Sequence, residues 1–415
     1  MGSKKRVVVV GGGMAGARLA QQLGAADGPA VTVLGEEPHA AYNRVLLADV
    51  LAGRYAPEVI ELPRPGDAVA WRAGIRVVRV DRAERVVVCD DGSLEPYDAL
   101  VLATGSNPVL PPLPGLFRPG EGELPDGVHA FRTLDDCLAL AGAAAEGTPA
   151  VVIGGGLLGV SAARALARRG ARVVLAHQGE HLMERQLDPG AAALLRSHLG
   201  DLGVETHTEC RVRRVRTAPG GRVEGVELAD GYRLDAELVV LACGVRPRTG
   251  LARAAGLGIG ARGGIVVDDR LRSAEDPHVY ALGDCAEHDG VLYGLAGAAQ
   301  DQADVLARVL AGDDGARYRG TRALVRLTLH ASPGPRPLDV AAFGQTTPAP
   351  GDDVVQLADA TTGAYRKIVV RGDRLRGGIL VGDLGSVGTL ARAWEGDEPL
   401  PATPLLHLLT HDGGY

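Results

Sequence analysis

The chain has 415 residues, of which 46% are hydrophobic and 23% charged, and this length suits two or three domains. Its net charge of −7 and pI near 5.9 argue against a nucleic-acid-binding protein, which needs a basic surface. The five cysteines are scattered without a C-x-x-C pair, a pattern that fits neither a disulfide scaffold nor a metal site. No secretory signal and no membrane-spanning apolar run are recognised, so a cytoplasmic location without membrane insertion is expected.

The N-terminal segment has the pattern of a strand, a glycine-rich turn, a helix and a second strand. The text RVVVVGGG is followed by MAGARLAQQLG and AVTVLGEE, and Gly11, Gly13 and Gly16 satisfy G-x-G-x-x-G. The acidic pair Glu36 and Glu37 follows at the distance typical of a dinucleotide-binding βαβ unit. In such a turn, glycines let the backbone approach a pyrophosphate, and the helix N-terminus supplies unpaired N–H groups.

The same pattern recurs near residue 150, in PAVVIGGGLLGVSAARALARRGARVVLAHQ. Gly154, Gly156 and Gly159 form the second G-x-G-x-x-G between a strand and a helix. One such match is weak evidence, whereas two complete βαβ units in one chain are strong evidence. The sequence therefore predicts two bound dinucleotides, and a flavin with a nicotinamide is the natural pair.

Two later apolar strands end in polar or flexible residues that suit the same chemistry. YDALVLATGSNP ends its strand at Thr104 and Gly105, and HVYALGDCAE ends its strand at Gly283 and Asp284. A carboxylate at the carboxyl end of a parallel strand can accept hydrogen bonds from a polyol such as the flavin ribityl chain. The alternative for Asp284 is a helix N-cap.

The remaining patterns complete the fold prediction. YNRVLLADVLAG, residues 42–53, is predicted to be an amphipathic helix, and RVEGVELADGYRLDAELVVLACGVRP to be two alternating strands followed by a buried one. After residue 320, DVAAFGQ, YRKIVVRGDRLRGGILVGD and GTLARAW indicate short strands and a closing helix. The predicted fold class is α/β, with two Rossmann-like dinucleotide-binding domains and a small α+β C-terminal domain.

These segments together resemble the FAD/NAD(P) pyridine nucleotide oxidoreductases with the glutathione-reductase-like fold. In particular, the chain is similar to the flavin module of NAD(P)H-dependent assimilatory nitrite reductase large subunits. The resemblance covers nearly the whole chain and includes EEPHAAYNRVLLADVLAG, GGGLLGVSAARAL, LMERQLDPGAAALLRSHLGDLGVETHT and LRGGILVGDL. It implies an FAD domain at residues 1–112 and 245–322, an NAD(P) domain at 113–244, and an interface-like C-terminal domain at 323–415.

The resemblance also implies the roles of individual residues. Glu37 would hold the adenosine ribose of FAD, Arg44 would lie near the pyrophosphate and ribityl, and Asp284 would bind the ribityl. Residues 294–302 would run along the pyrimidine side of the isoalloxazine. No side chain is expected to be catalytic, because the flavin carries the chemistry. The residues expected to bind the two cofactors are Gly11, Gly13, Met14, Ala15, Gly16, Glu36, Glu37, Arg44, Thr104, Gly105, Asp284, Gly294, Leu295, Gly154, Gly156, Leu157, Leu158, Gly159, His177 and Gly244.

The sequence departs from its relatives in its thiols and in one expected ion pair. Disulfide reductases of this fold carry a redox cysteine pair after the first βαβ unit, and coenzyme A-disulfide reductases carry a single cysteine there. This chain has no cysteine in that region, so dithiol exchange is not expected. Many single-component reductases have a lysine and a glutamate where this chain has Asp49 and Ser161. With both partners replaced, we expect no ion pair there and no protein acid or base beside the flavin.

The nicotinamide preference is left open between NADPH and NADH. In NADH-dependent relatives, a carboxylate ends the strand that here reads VVLAHQ, and His177 takes its place. A histidine does not repel a 2′-phosphate and its cation would favour one, which points towards NADPH, although no arginine follows immediately. The alternative is that His177 is a solvent-facing loop residue.

The function that follows is an FAD-dependent NAD(P)H:acceptor oxidoreductase, in which hydride passes to flavin N5. No cysteine follows Cys285, so the electrons are expected to pass to a separate iron–sulfur, siroheme or haem protein of the nitrite reductase, nitrate reductase or ferredoxin type. One alternative is a flavoenzyme that reduces a quinone, oxygen or a nitrogen-oxide metabolite directly. Another is an NAD(P)H-responsive redox-sensing flavoprotein. A homodimer is also compatible with the sequence.

Overall fold

The computed structural model describes residues 4–24, 28–117, 122–322, 324–330, 337–401 and 404–409. The strands of the first half are β1 Arg6–Val10, β2 Ala30–Gly35, β3 Val69–Ala73, β4 Val77–Asp81, β5 Val86–Cys89, β6 Leu94–Pro96, β7 Ala99–Leu102, β8 Ser106–Pro108, β9 Val128–Ala130, β10 Pro149–Ile153, β11 Arg172–Ala176 and β12 Val204–His207. Those of the second half are β13 Val212–Thr217, β14 Val223–Leu228, β15 Arg233–Asp235, β16 Leu238–Leu241, β17 Val245–Pro247, β18 Ile265–Val267, β19 Val279–Ala281, β20 Ala286–His288, β21 Val325–Leu329, β22 Leu338–Gly344, β23 Asp353–Asp359, β24 Ala364–Arg371 and β25 Arg374–Val381.

The α-helices are α1 Met14–Leu23, α2 Leu47–Leu51, α3 Leu134–Ala143, α4 Leu157–Arg168, α5 Pro189–Asp201, α6 Gly250–Ala254, α7 Ala296–Leu310 and α8 Val387–Glu395. Short 3₁₀ helices cover Arg44–Leu46, Pro57–Ile60, Gly283–Cys285 and Leu405–Leu409. Within the described part of the chain, none of these helices is long and apolar enough to cross a membrane.

The chain divides into two compact units. The first contains Met1–Leu46, Ala56–Asn107 and Val245–Thr321, and the second contains Leu47–Tyr55, Pro108–Gly244 and Arg322–Tyr415. Each unit contains one of the two glycine turns.

The first unit is built on a parallel sheet with the strand order β19-β7-β1-β2-β3. Its central strand, β1, is a run of valines that is buried at Val7–Val10, as is typical of a parallel sheet covered on both faces. Helices α1 and α7 pack against each other in this unit. A second, antiparallel sheet has the order β4-β5-β6. The core consists mainly of valine, leucine and alanine, which agrees with the low aromatic content.

The second unit contains the matching parallel sheet, with the order β12-β11-β10-β16-β9. Strands β13, β14 and β15 form an antiparallel sheet beside it, and β14 and β15 are the alternating strands that the sequence predicts. The last part of the chain forms an antiparallel sheet with the order β21-β22-β25-β24-β23, packed against α8. The predicted α/β class with a C-terminal α+β domain is therefore confirmed.

Asp188 joins the C-terminal sheet to the nucleotide-binding part of the second unit. It is the N-cap of α5, where its side chain accepts a hydrogen bond from the N–H of Ala191. Its other carboxylate oxygen accepts hydrogen bonds from Tyr365 Oη at 2.6 Å and from Lys367 Nζ at 2.8 Å. Because Lys367 is buried, Asp188 also neutralises a charge that would otherwise be costly to bury.

The amphipathic helix predicted over residues 42–53 is present in part, and it is shorter than predicted. The side chain of Asn43 accepts the N–H of Val45 and so caps the helical segment that begins at Arg44. Residues Arg44–Leu46 form a 3₁₀ turn, and the α-helix covers only Leu47–Leu51. Val45, one of the apolar residues in this stretch, is 62% exposed.

Candidate functional site

The first glycine turn connects β1 to α1, and its geometry requires glycine at two positions. Gly11 has φ +122°, and a Cβ there would overlap the carbonyl oxygen of Ala103. A Cβ on Gly16 would overlap the carbonyl oxygen of Gly11. The helix is therefore held so close to the sheet that only glycine fits.

The N-terminus of α1 is open to a ligand. Gly13 is the N-cap and supplies no side-chain cap, and the helix begins at Met14 and Ala15. The nearest atom to a Cβ built on Gly13 is the Arg44 Nη2 atom, 3.9 Å away. An uncapped helix N-terminus with a guanidinium beside it suits a pyrophosphate.

Arg44, Glu37 and Tyr42 form a hydrogen-bonded group beside this turn. Glu37 accepts hydrogen bonds from Arg44 Nη2 at 2.5 Å and from Tyr42 Oη at 2.6 Å. The guanidinium also lies 5.0 Å from the centroid of the Tyr42 ring, within the range of a cation–π contact. These contacts hold Arg44 at the glycine turn, and they bring together Glu37 and Arg44, two of the residues expected to contact FAD.

Glu36 and the Thr104–Gly105 pair are joined through Arg248. Arg248 forms an ion pair with Glu36, and its backbone N–H donates to the carbonyl of Gly105. The hydroxyl of Thr104 donates to the carbonyl oxygen of Arg248 at 2.6 Å. Arg248 could not be identified from a sequence motif, because its partners lie more than a hundred residues earlier in the chain.

Asp284 lies in the 3₁₀ turn that follows β19. Its carboxylate accepts a hydrogen bond from Ser106 Oγ at 2.8 Å, and it is not an N-cap, because the N-cap of this turn is Leu282. The turn is fixed by the buried Gln302, whose side-chain oxygen accepts the N–H of Gly283 at 2.7 Å. Neither Ser106 nor Gln302 was identified as a partner from the sequence.

Gln302 belongs to α7, which begins next to the remaining predicted contacts of the first unit. Gly294 has φ +61°, and Leu295 is the N-cap of α7 without a side-chain hydrogen bond. The backbone N–H groups at this helix start are therefore uncapped by a side chain, and they can donate to polar groups of a ligand.

The second glycine turn repeats the geometry of the first. Gly154 has φ +116°, and a Cβ there would overlap the carbonyl oxygen of Ala242. A Cβ on Gly159 would overlap the carbonyl oxygen of Gly154, whereas Gly156 has open space around it. Helix α4 starts at Leu157 and Leu158 without a side-chain cap. Gly244, at φ +102°, also has open space around its Cβ position.

His177 is a structural partner of the second glycine turn. Its Nδ1 accepts the N–H of Gly155 at 3.1 Å, so a neutral ring carries its proton on Nε2. The side chain is 15% exposed, which excludes the solvent-facing alternative. Burial lowers the pKa of His177 below its usual value, so the imidazole is neutral at pH 7. The expectation that a histidine cation attracts a 2′-phosphate is therefore not supported.

A buried ion pair occupies the position where the sequence predicted none. Arg164 lies one turn after Ser161 on α4, and its Nη2 donates to Asp49 Oδ1 at 3.0 Å. Its side chain is 3% exposed, and its Nε and Nη1 have no hydrogen-bond partner among the described residues. The expectation of no pair was wrong because the partner came from another turn of the helix. Relative to the lysine–glutamate pair of relatives, the charges are exchanged.

All five cysteines are held as thiols. They are free and lie in described parts of the chain. Burial raises the pKa of each of them, that of Cys137 to about 11. A raised pKa suppresses the thiolate, which is the reactive form in disulfide exchange. Thiol chemistry is therefore not supported at any cysteine.

Replacement of Asp49 by alanine should destabilise the protein strongly. The substitution leaves the Arg164 guanidinium buried without its carboxylate, at an expected cost of about 3 to 5 kcal/mol in the free energy of unfolding. Urea unfolding of D49A and of the double variant D49A/R164M measures this effect. The double variant should recover most of the loss.

The matched control is R54A, because Arg54 also faces Asp49, at 3.9 Å, but is 34% exposed. R54A should lower the free energy of unfolding by less than about 1 kcal/mol. A double variant no more stable than D49A would contradict the assignment of a stranded charge.

The comparisons with known proteins agree with this geometry. The family described as pyridine nucleotide-disulphide oxidoreductase matches residues 5–303, and the rubredoxin NAD+ reductase C-terminal domain matches residues 337–396. The NAD(P)H nitrite reductase of Bacillus subtilis is 36% identical over 92% of this chain and 46% of its own length. The assimilatory nitrate reductase electron transfer subunit of the same organism is 33% identical over 92% of this chain and 48% of its own length.

The chain thus spans about half the length of these curated relatives. A ferredoxin reductase from Rhodopseudomonas palustris has a solved structure that superimposes with a TM-score of 0.84 and 26% identity, covering 99% of this chain and all of that one. The family match covers most of the chain, and it includes both glycine turns and the strands that support them. The chain belongs to the pyridine nucleotide-disulphide oxidoreductase family.

Proposed function

We propose that the chain is an FAD-dependent NAD(P)H oxidoreductase that delivers electrons to a separate redox protein. FAD would bind in the first unit and NAD(P)H in the second. The partner would carry an iron–sulfur, siroheme or haem group. The similarity to a nitrite reductase, a nitrate reductase electron transfer subunit and a ferredoxin reductase supports this class of acceptor.

The two glycine turns support the assignment of the two dinucleotides. Both helices begin at a glycine N-cap without a side-chain hydrogen bond, and Gly13 and Gly156 leave room in front of the helix. In the first unit, Arg44 adds a positive charge and Asp284 an acceptor for hydroxyl groups. We retain the domain assignment of 1–112 with 245–322 for FAD, 113–244 for NAD(P)H and 323–415 for the C-terminal domain.

The raised pKa values of the cysteines are the observation that favours an external electron acceptor. FAD, when bound, would accept hydride from the nicotinamide and release electrons one at a time. Because the pKa of every thiol is raised, the chain offers no thiolate to take those electrons. An external one-electron acceptor then accounts for their release. Free thiols also fit a reducing compartment, and we propose a cytoplasmic location.

Replacement of Arg44 by alanine should weaken FAD retention. The variant loses the guanidinium next to Gly13, and the loss of a charge-assisted hydrogen bond corresponds to roughly a 10- to 100-fold rise in Kd. The flavin-to-protein absorbance ratio of the purified variant measures retention. The FAD retention of R44K should lie between that of R44A and that of wild type. Lysine keeps the positive charge but lacks the planar guanidinium that donates two parallel hydrogen bonds.

R18A is the control for Arg44, because Arg18 lies on α1, the helix that follows Gly13, and pairs with Asp304 at the surface. Its flavin content should equal that of wild type. Unchanged flavin content in R44A would remove Arg44 from the proposed FAD site.

Anaerobic mixing tests the proposed reaction directly. NADH or NADPH should bleach the visible absorbance of the flavin-loaded protein, and an oxidised ferredoxin should restore it faster than a quinone, oxygen or glutathione disulfide. No bleaching with either nucleotide would refute the proposal. Faster reoxidation by a quinone or oxygen would favour a flavoenzyme with a small-molecule acceptor. A reduced complex stable to every acceptor, with a changed oligomeric state, would favour a redox sensor.

A further inference from the structure

The loop after β11 places one carboxylate beside the second glycine turn. Glu184 Oε1 accepts the backbone N–H of Glu180 at 2.8 Å, so the carboxylate lies on the loop backbone. A Cβ on Gly179 would overlap this carboxylate. The Glu184 carboxylate can therefore lie here only because residue 179 is a glycine. The side chain of Glu184 is still 43% exposed to solvent.

Backbone hydrogen bonds fix this loop to the glycine turn. The N–H of Met183 donates to the carbonyl of Gly155 at 2.9 Å, while the N–H of Gly155 donates to His177 Nδ1. Met183 is buried and has φ +54°, a left-handed conformation that costs energy for a side chain larger than glycine. The hydrogen bond from Met183 holds Glu184, the next residue, near the glycine turn.

His177 faces Glu184 instead of replacing it. Its Nε2, which carries the proton of the neutral ring, lies 4.0 Å from Glu184 Oε2 and has no hydrogen-bond partner among the described residues. The imidazole therefore lies beside the carboxylate without a hydrogen bond to it. The end of β11 has His177 where a carboxylate would be expected, and the carboxylate of Glu184, seven residues later in the chain, lies next to it.

We infer that Glu184 is the residue that selects between the two nicotinamide nucleotides, accepting the ribose 2′-hydroxyl of NADH and repelling the 2′-phosphate of NADPH. The inference rests on the proposed binding of NAD(P)H at the second glycine turn. A carboxylate accepts a hydrogen bond from a ribose hydroxyl, whereas a phosphate at the same position places two negative charges in contact. The predicted preference is therefore for NADH, opposite to the direction suggested by His177 in the sequence.

Equilibrium binding of NAD⁺ and NADP⁺ to the oxidised, flavin-loaded protein, measured by isothermal titration calorimetry, tests this inference without turnover. Wild type should bind NAD⁺ about tenfold or more tightly than NADP⁺. In E184Q, the binding of NAD⁺ should become weaker and that of NADP⁺ tighter. The ratio of the NAD⁺ affinity to the NADP⁺ affinity should fall by about tenfold. G179A should reduce the ratio in the same direction, because it displaces the carboxylate while every charge is retained.

Two variants of the same loop serve as controls. E180Q removes a neighbouring carboxylate whose side chain is exposed, and it should leave both affinities unchanged. R185Q tests whether the adjacent exposed arginine binds the 2′-phosphate instead, since a specific loss of NADP⁺ binding in R185Q would overturn the inference.

The outcomes separate this inference from the proposed function. If wild type binds both nucleotides and E184Q keeps the wild-type ratio, the selection by Glu184 is wrong while the oxidoreductase proposal stands. If wild type binds NADP⁺ more tightly than NAD⁺, the inference is also wrong. If neither nucleotide binds to wild type, both the inference and the proposed function fail.

Discussion

In each unit, the close approach of one backbone carbonyl to one glycine determines how the nucleotide-binding turn packs against the sheet. In the first unit the carbonyl of Ala103 lies where a Cβ of Gly11 would be, and in the second the carbonyl of Ala242 has the same relation to Gly154. This contact holds the end of the neighbouring strand against the turn and lets the following helix start close to the sheet. The helix then presents its first N–H groups without a side-chain cap. The capacity to bind an anion at these turns follows from the packing of the sheet.

The charged groups around the two turns are positioned by different means. In the first unit, Arg44 is held by Glu37 and by the ring of Tyr42. In the second, Gly155 both donates to His177 and accepts from Met183, which fixes the loop bearing Glu184. A cation beside the first turn suits a tightly held pyrophosphate, whereas a carboxylate beside the second suits discrimination between nucleotides that exchange during turnover.

Much of the fold could be predicted from the sequence, because its signals are local. The glycine turns, the valine-rich strands and the Asp230–Gly231 hairpin each depend on residues that are close together in the chain, and each is present in the structure. The helix predicted over residues 42–53 is shorter in the structure, where a 3₁₀ turn at Arg44–Leu46 precedes an α-helix that covers only Leu47–Leu51. Apolar spacing does not reveal where a helix begins or ends, because the ends depend on capping hydrogen bonds such as that of Asn43.

The candidate site was predicted less completely, because its partners are distant in sequence. Arg164 and Asp49 are separated by 115 positions, and no spacing rule connects them. His177 was assigned a charge from its residue type, whereas its burial and its acceptor role at Nδ1 decide its protonation state. Glu184 lies in a segment that carries the family resemblance, but no role was assigned to it, since its significance depends on the backbone conformation of Met183 and on the absence of a Cβ at Gly179.

The central claim is that one chain holds two different dinucleotides at two separate glycine turns. Native mass spectrometry of the purified protein, titrated with NADH under anaerobic conditions, tests it most directly. The account predicts one FAD per chain before titration and one additional nicotinamide nucleotide at saturation, with the FAD retained. Displacement of FAD by NADH, or a total of one dinucleotide per chain at saturation, would contradict it.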